Sequence, residues 1–362
     1  MAFLHFLAGV DSMKNQQQNA AADRPGPAPV AAATDTGIAA AIAVSLGAAD
    51  GRRLAAQHWP ARSGRARAVV VINPATAVKA DYYHRFARFL ADHDLAVLTY
   101  DYRGIGASRQ GSLRRQRGIA KLDWGRYDCD AALAWAVHNY PELPLHVVGH
   151  SIGGLLLGLA RHNRQVARCL TVGAQYAYWP DYAPEQRLSM WLRWHLLMPL
   201  LTALLGYFPA RRLGWHEDLP AAAAYEWAFR PARLERSYRR QQRNGAEPLA
   251  HFNGMAGEML AIGLSDDPFG TPAALNRLLA YFCRAQRTRL EIRPESVGET
   301  AIGHFAFFHE RFRSTLWDDA LHWLLRGVLP EGEKEVFAPA SPLFPVPAAQ
   351  ENPRAAQHLR RQ

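Results

Sequence analysis

The stretch Leu145-His146-Val147-Val148-Gly149-His150-Ser151-Ile152-Gly153-Gly154-Leu155-Leu156-Leu157-Gly158 decides how this chain is read. The apolar run Leu145 to Val148 is a short buried strand. Leu155 to Ala160, opened by Gly154, is a buried helix. Between them stands Gly149-x-Ser151-x-Gly153, the pattern of a sharp strand-to-helix turn with a serine at its apex. The turn is so tight that side chains at Gly149 and Gly153 would strike the neighbouring strand and helix. Ser151 then projects above the sheet edge, with the helix start behind it. Free backbone N–H groups and a positive dipole end at that start favour a developing negative charge.

The flanking sequence repeats the same alternation. Ala68-Val69-Val70-Val71-Ile72 is a continuous β-branched run, as in a central parallel strand. Residues 81–92 read as a helix with Tyr82, Phe86, Phe89 and Leu90 on one face. Leu95 to Tyr100 is a strand, Trp124 to Tyr140 a helix ending before Pro141, and Val166 to Val172 another strand. Upstream, Ile38 to Leu46 and Arg52 to Trp59 flank the turn-rich Gly47-Ala48-Ala49-Asp50-Gly51 and read as a hairpin at the sheet edge. The pattern predicts an α/β fold: a doubly wound, mostly parallel sheet with helices on both faces.

The alternation breaks near Gln175. Residues 176–255 show no strand signal and hold five of the ten tryptophans, Trp179, Trp191, Trp194, Trp215 and Trp227. Met190 to Phe208 reads as an apolar helix interrupted at Pro199, and Ala221 to Arg243 as an arginine-rich amphipathic helix. The segment is an inserted helical cap, or extra helices packed on the core. The core resumes with Glu258 to Leu264, the loop Ser265-Asp266-Asp267-Pro268 and a helix from Pro272 to Phe282. A last strand at Arg289 to Arg293, the loop Gly303-His304-Phe305 and a helix at Arg311 to Leu325 complete it. The domain plan is therefore a disordered segment at 1–36, core at 37–175 and 256–329, the cap at 176–255, and a disordered Pro/Ala-rich tail at 330–362.

Composition narrows the class. The chain has 362 residues, 49% hydrophobic, with 42 Lys+Arg against 32 Asp+Glu, a net charge of +10. No nucleic-acid-binding motif accompanies the arginines, so they read as solvated faces, with weak attraction to acidic membrane surfaces as the remaining partner class. The three cysteines, Cys129, Cys169 and Cys283, are widely spaced and form neither a disulfide framework nor a metal-ligand set, which fits a reducing cytoplasm. The apolar run Met1 to Val10 lacks a preceding basic residue, unlike a signal peptide. No uncharged apolar stretch reaches the ~18–20 residues of a spanning helix, so stable membrane insertion is not expected. The Gly104-x-Gly106 pair lacks a third glycine and opens no helix, so it is no dinucleotide site. No cofactor or metal is implied.

A serine nucleophile needs a base, and the base a carboxylate to orient it. In chain order the candidates are Ser151, then Asp266 or Asp267, then His304, each after a strand on the carboxyl side of the sheet. Asp266 is preferred because it lies nearer the strand end and Gly263-x-x-Asp266 has the expected spacing. Asp267 fits when counted back from the helix start at Thr271-Pro272. His150 and His309 are the next candidate bases.

The chain resembles the α/β-hydrolase superfamily, in particular a bacterial branch of hydrolases related to the serine aminopeptidase and monoacylglycerol lipase group. The residues that carry the resemblance are Asn73-Pro74-Ala75-Thr76, Asp101-x-Arg103-Gly104-x-Gly106-x-Ser108, Gly149-His150-Ser151-x-Gly153-Gly154, Ser265-Asp266-Asp267 and Gly303-His304-Phe305, over about residues 38–328. The resemblance implies a mainly structural Asp-x-Arg-Gly-x-Gly-x-Ser stretch. It also implies an oxyanion loop at Asn73-Pro74, where many relatives carry His-Gly. Proline has no N–H to donate, so Ala75 becomes the first oxyanion donor and Ile152 the second. The expected activity is hydrolysis of a small-molecule carboxylic ester, with a lipid-like or other apolar acyl group, through an acyl-enzyme. The alternatives are acyl transfer on the same triad, peptidase activity, and a non-catalytic ligand-binding protein on this fold.

Overall fold

The computed structural model describes residues 40–239 and 248–338. The segment at 1–36 and the end of the tail lie outside the described residues, as do residues 240–243 of the expected arginine-rich helix. Among the described residues, β1 (Ile42–Gly47) and β2 (Arg53–Trp59) form the expected antiparallel edge hairpin. The core strands are β3 (Ala68–Asn73), β4 (Leu95–Tyr100), β5 (Leu145–His150), β6 (Val166–Val172), β9 (Glu258–Leu264) and β10 (Gln286–Ile292). Two-residue strands β7 (Tyr207–Phe208) and β8 (Leu219–Pro220) pair with each other inside the insertion, where no strand was expected.

The main sheet runs β1-β2-β4-β3-β5-β6-β9-β10-β11, parallel from β4 through β10 and antiparallel at both edges. The last edge strand, β11 (Glu333–Phe337), corrects the expectation of a structureless tail from 330. Its sequence, Glu-Lys-Glu-Val-Phe, is charged because an edge strand faces water.

Alternate residues of each strand feed two cores. Val69 and Val71 of β3 point to one face, Val70 and Ile72 to the other. Helices α1 (His84–Asp92) and α7 (Leu316–Arg326) cover one face through Phe86, Phe89, Trp317 and Leu324. On the other face lie α2 (Asp130–Asn139), α3 (Ile152–Leu157), α6 (Pro272–Leu279) and the insertion between β6 and β9.

The insertion is built on α4 (Pro184–Leu205) and α5 (Ala221–Ala228). Pro199 does not interrupt α4. A wider π turn at Leu192–Leu197 precedes it and accommodates its missing N–H, so the helix runs on to Leu205. By length and composition α4 is apolar enough to cross a membrane, although only 28% of its most apolar window is buried within the protein. The expected helix from Ala221 is shorter than anticipated. It stops at Ala228, and a 3-10 turn follows at Leu234–Tyr238.

Strand order places the site. The chain leaves β3 toward β4 on one side and leaves β5 toward β6 on the other, so the loops after β3 and β5 diverge and leave a crevice at the carboxyl ends of the strands. Asn73 stands opposite Gly149 in the β3–β5 register, which brings the Pro74–Ala77 loop alongside the Ser151 turn.

Candidate active site

Ser151 sits at the apex of the β5–α3 turn with φ +53° and ψ −118°, a backbone shape that a non-glycine residue adopts only under constraint. The flanking glycines show the cause. A Cβ on Gly149 would stand 2.8 Å from the Gly154 nitrogen, and one on Gly153 would stand 2.2 Å from the Asn73 carbonyl oxygen. Asn73 also ties the turn down with its side chain. It donates to the Gly153 carbonyl at 3.2 Å and accepts from Tyr100 Oη at 2.8 Å. The expected structural stretch does what the resemblance implied. Asp101 accepts from the N–H groups of Ala80 and Ala107, and Arg103 pairs with Asp128 at 2.7 Å and Asp50 at 2.6 Å.

His304 lies on the loop after β10, and its Nδ1 is 2.6 Å from Asp267 Oδ2. Both residues are buried. The carboxylate can only accept, so Nδ1 carries the proton and Nε2 is left to act as a base. Asp267 Oδ1 accepts the Phe269 N–H at 2.8 Å, which locks the carboxylate plane. Glycines clear the space around the pair. A Cβ on Gly173 would come within 2.7 Å of Asp267 Oδ2 and 3.0 Å of His304 Nδ1, and one on Gly270 within 2.5 Å of Asp267 Oδ2.

This geometry corrects the preference for Asp266. Its Oδ2 instead accepts the N–H groups of Ile302 at 2.8 Å and Gly303 at 2.9 Å, so it holds the loop that delivers His304. The two aspartates are adjacent on one turn, and their side chains leave it in different directions.

The oxyanion expectation changes as well. Ile152 is the first residue of α3, where helical N–H groups have no acceptor within the helix. Ala75 lines the same cavity as Ser151, but its N–H donates to Tyr83 Oη at 2.9 Å. The next residue, Thr76, also lines that cavity, and its N–H makes no hydrogen bond among the described residues.

A buried relay that sequence reading missed runs from this loop to the histidine. Burial holds the His150 imidazole well below its ordinary pKa, so it is neutral. Its Nε2 lies 2.8 Å from the His304 carbonyl oxygen, which can only accept, so Nε2 donates. Its Nδ1 therefore accepts from Tyr83 Oη at 2.8 Å, and that oxygen in turn accepts the Ala75 N–H. With Nε2 carrying the proton and the Nδ1 lone pair taken by Tyr83, His150 is not available as a base. His309 is buried against the Tyr82 ring, with the ring centres 6.1 Å apart.

Ser151 and His304 face one cavity of about 550 Å³, its opening to solvent included. The cavity is a narrow slot. Its walls come largely from the insertion, through Trp194, Phe208, Trp215, Leu219 and Trp227, with Phe269 and Phe305 from the core loops. His216 and Gln175 also line it and carried no sequence signal. The three cysteines are buried and unpaired.

A serine at a strained strand-to-helix apex and a histidine paired to an aspartate, at the switch point of a mostly parallel sheet, define an α/β-hydrolase enzyme. Residues 64–253, more than half of the chain, match the model of the serine aminopeptidase family S33, and the chain belongs to that family. Among solved structures it is similar to a soluble variant of monoglyceride lipase from Saccharomyces cerevisiae bound to a substrate analogue. The identity is 14%, with 83% of this chain and 98% of that one covered, at a TM-score of 0.56. It is also similar to DcsB in complex with its substrate analogue, at 15% identity, 80% and 99% coverage and a TM-score of 0.52. A puromycin-hydrolysing peptidase of Mycobacterium tuberculosis matches at 16% identity and a TM-score of 0.50, over 83% of this chain and 42% of that one. At these identities the likeness establishes the fold. No curated protein sequence matches the chain.

Proposed function

We propose that this chain is a serine esterase that cleaves a carboxylic ester with an apolar acyl group through Ser151, His304 and Asp267. His304 Nε2 takes the proton of Ser151 as its oxygen attacks the acyl carbonyl. Asp267 stabilises the imidazolium that forms. The Ile152 N–H, with the Thr76 N–H in place of that of Ala75, receives the oxyanion. His304 then protonates the departing alcohol and leaves an acyl-serine. Water, deprotonated by the same histidine, attacks that ester, and the acid leaves as Ser151 regains its proton.

The observation that carries the ester reading is the wall of the slot. An aminopeptidase must bind a free ammonium group beside the scissile bond, and no Asp or Glu lines this cavity among the described residues. Its aromatic surfaces suit an acyl chain. Helices α4 and α5 then act as a cap that builds the acyl pocket.

The test is a series of p-nitrophenyl esters from acetyl to hexanoyl, run beside an aminoacyl p-nitroanilide. Each buried CH₂ is worth about 0.8 kcal/mol, or roughly fourfold. Half of that gives a visible rise in kcat/KM along the series. A flat or falling profile, or faster turnover of the anilide, overturns the reading.

A further inference from the structure

Helix α4 has two faces that do different things. Met190, Trp194, Met198 and Thr202 recur every four residues and are buried, with Trp194 in the wall of the Ser151 slot. Leu196, Leu200 and Leu204 recur at the same spacing two residues out of phase, with Leu188 a further eight residues before Leu196. Two residues turn an α-helix by about 200°, so these leucines lie on the opposite side. They are 68%, 53%, 54% and 71% exposed, in chain order. From Leu188 to Ala210 the one Lys, Arg, Asp or Glu is Arg193, and it is buried. Isolated exposed leucines are ordinary, but a row of four on one helix is a surface built for apolar contact.

The carboxyl end of this stripe is basic. Arg114, Arg115 and Arg117 are exposed, and a Cβ on Gly206 would stand 3.7 Å from Arg114 Cγ and 3.8 Å from Arg117 Nε. Arg211 and Arg212 follow a few residues on and are also exposed. None of the five forms an ion pair among the described residues. The acidic groups on the neighbouring loop are Glu217 and Asp218, and Asp218 accepts the Arg211 backbone N–H.

We propose that the outer face of α4 docks on an anionic lipid surface, with its leucines in the interface and the five arginines on the headgroups. An apolar face bordered by cations is the signature of a helix lying in a membrane interface. The buried inner face keeps α4 from crossing the bilayer, since Trp194 and Met198 are already packed in the protein core. A second copy joined through the same patch would bring five more arginines and would not supply the missing negative charge. The proposal stands independently of the ester reading.

The experiment is co-sedimentation of the full chain with phosphatidylcholine vesicles, with and without phosphatidylglycerol. The expected result is binding to the anionic vesicles that weakens in about 0.5 M salt, where charges are screened beyond a few ångströms. The variant L196S/L200S/L204S should lose about tenfold or more in partition. Replacing Arg114, Arg115 and Arg117 with glutamine should cost roughly fivefold per residue. Both variants should keep the wild-type melting midpoint. Failure of the wild-type chain to bind anionic vesicles overturns the proposal, and so does equal binding by the leucine variant. A dimer that the leucine variant abolishes, without any lipid binding, would assign the face to a second copy instead.

Discussion

Asp267→Asn and Asp266→Asn should fail in opposite ways. Asp267 Oδ2 is 2.6 Å from His304 Nδ1 inside a buried pair. Asparagine keeps the shape and can still accept the Phe269 N–H through Oδ1. It then presents an NH₂ group to Nδ1, which favours the tautomer with its proton on Nε2, where the base must be empty. In serine proteases this kind of change lowers kcat by about 10⁴-fold, or ~5.5 kcal/mol of barrier, with the geometry intact. Asp266 has different partners. Its carboxylate accepts two backbone N–H groups on the loop before His304, and charged hydrogen bonds are worth about 1.5–3 kcal/mol each. Asparagine retains one acceptor oxygen, so Asp266→Asn should lose about 1–3 kcal/mol of stability. At about 2–4 °C per kcal/mol that is a drop of several degrees in the melting midpoint. Its kcat should fall by about tenfold or less. The assay is kcat on p-nitrophenyl butyrate beside a thermal melt for each variant. A loss of about a thousandfold or more in Asp266→Asn with near-normal turnover in Asp267→Asn would refute the pairing.

Two further outcomes follow from local geometry. Ser151→Gly removes a side chain held at φ +53° and should raise stability by about 1 kcal/mol while abolishing turnover; an unchanged or lower melting midpoint would mean the apex stores no strain. Burial, with a smaller contribution from Arg168, pushes His146 down to about 4, and burial holds His150 well below its ordinary value. Both are neutral in the fold near pH 6 and gain a proton only on unfolding. Their contribution is complete above about pH 6.5 and is lost as pH falls, by about 1.4 kcal/mol per pH unit for each group until its folded-state value is reached. Melts from pH 7.5 to 5 should therefore show a falling midpoint, with a shallower fall in His146→Leu. A flat profile would contradict the burial argument.

The parts of this fold written in local sequence were readable. Val69 to Ile72, the glycines at 149 and 153, and the order Ser151, Asp266-Asp267, His304 each depend on neighbours within a few residues or on chain order. What escaped depends on distant pairings. Asp266 and Asp267 have the same chemistry and adjoining positions, and only the direction in which each leaves the turn separates their roles. The relay from Ala75 through Tyr83 and His150 to His304 joins four segments and has no period or spacing to detect. Pro199 read as a helix break because the π turn that absorbs it has no sequence signature. The charged strand β11 read as tail because an edge strand with one paired side shows no apolar alternation.

Reaction with a fluorophosphonate probe, followed by mass mapping of the adduct, tests whether Ser151 is the nucleophile and His304 its base. A single adduct on Ser151 is expected, absent in Ser151→Ala and slowed by several orders of magnitude in His304→Ala while that variant still melts as a folded protein. An adduct on another serine, or labelling of Ser151 at an undiminished rate without His304, would contradict it.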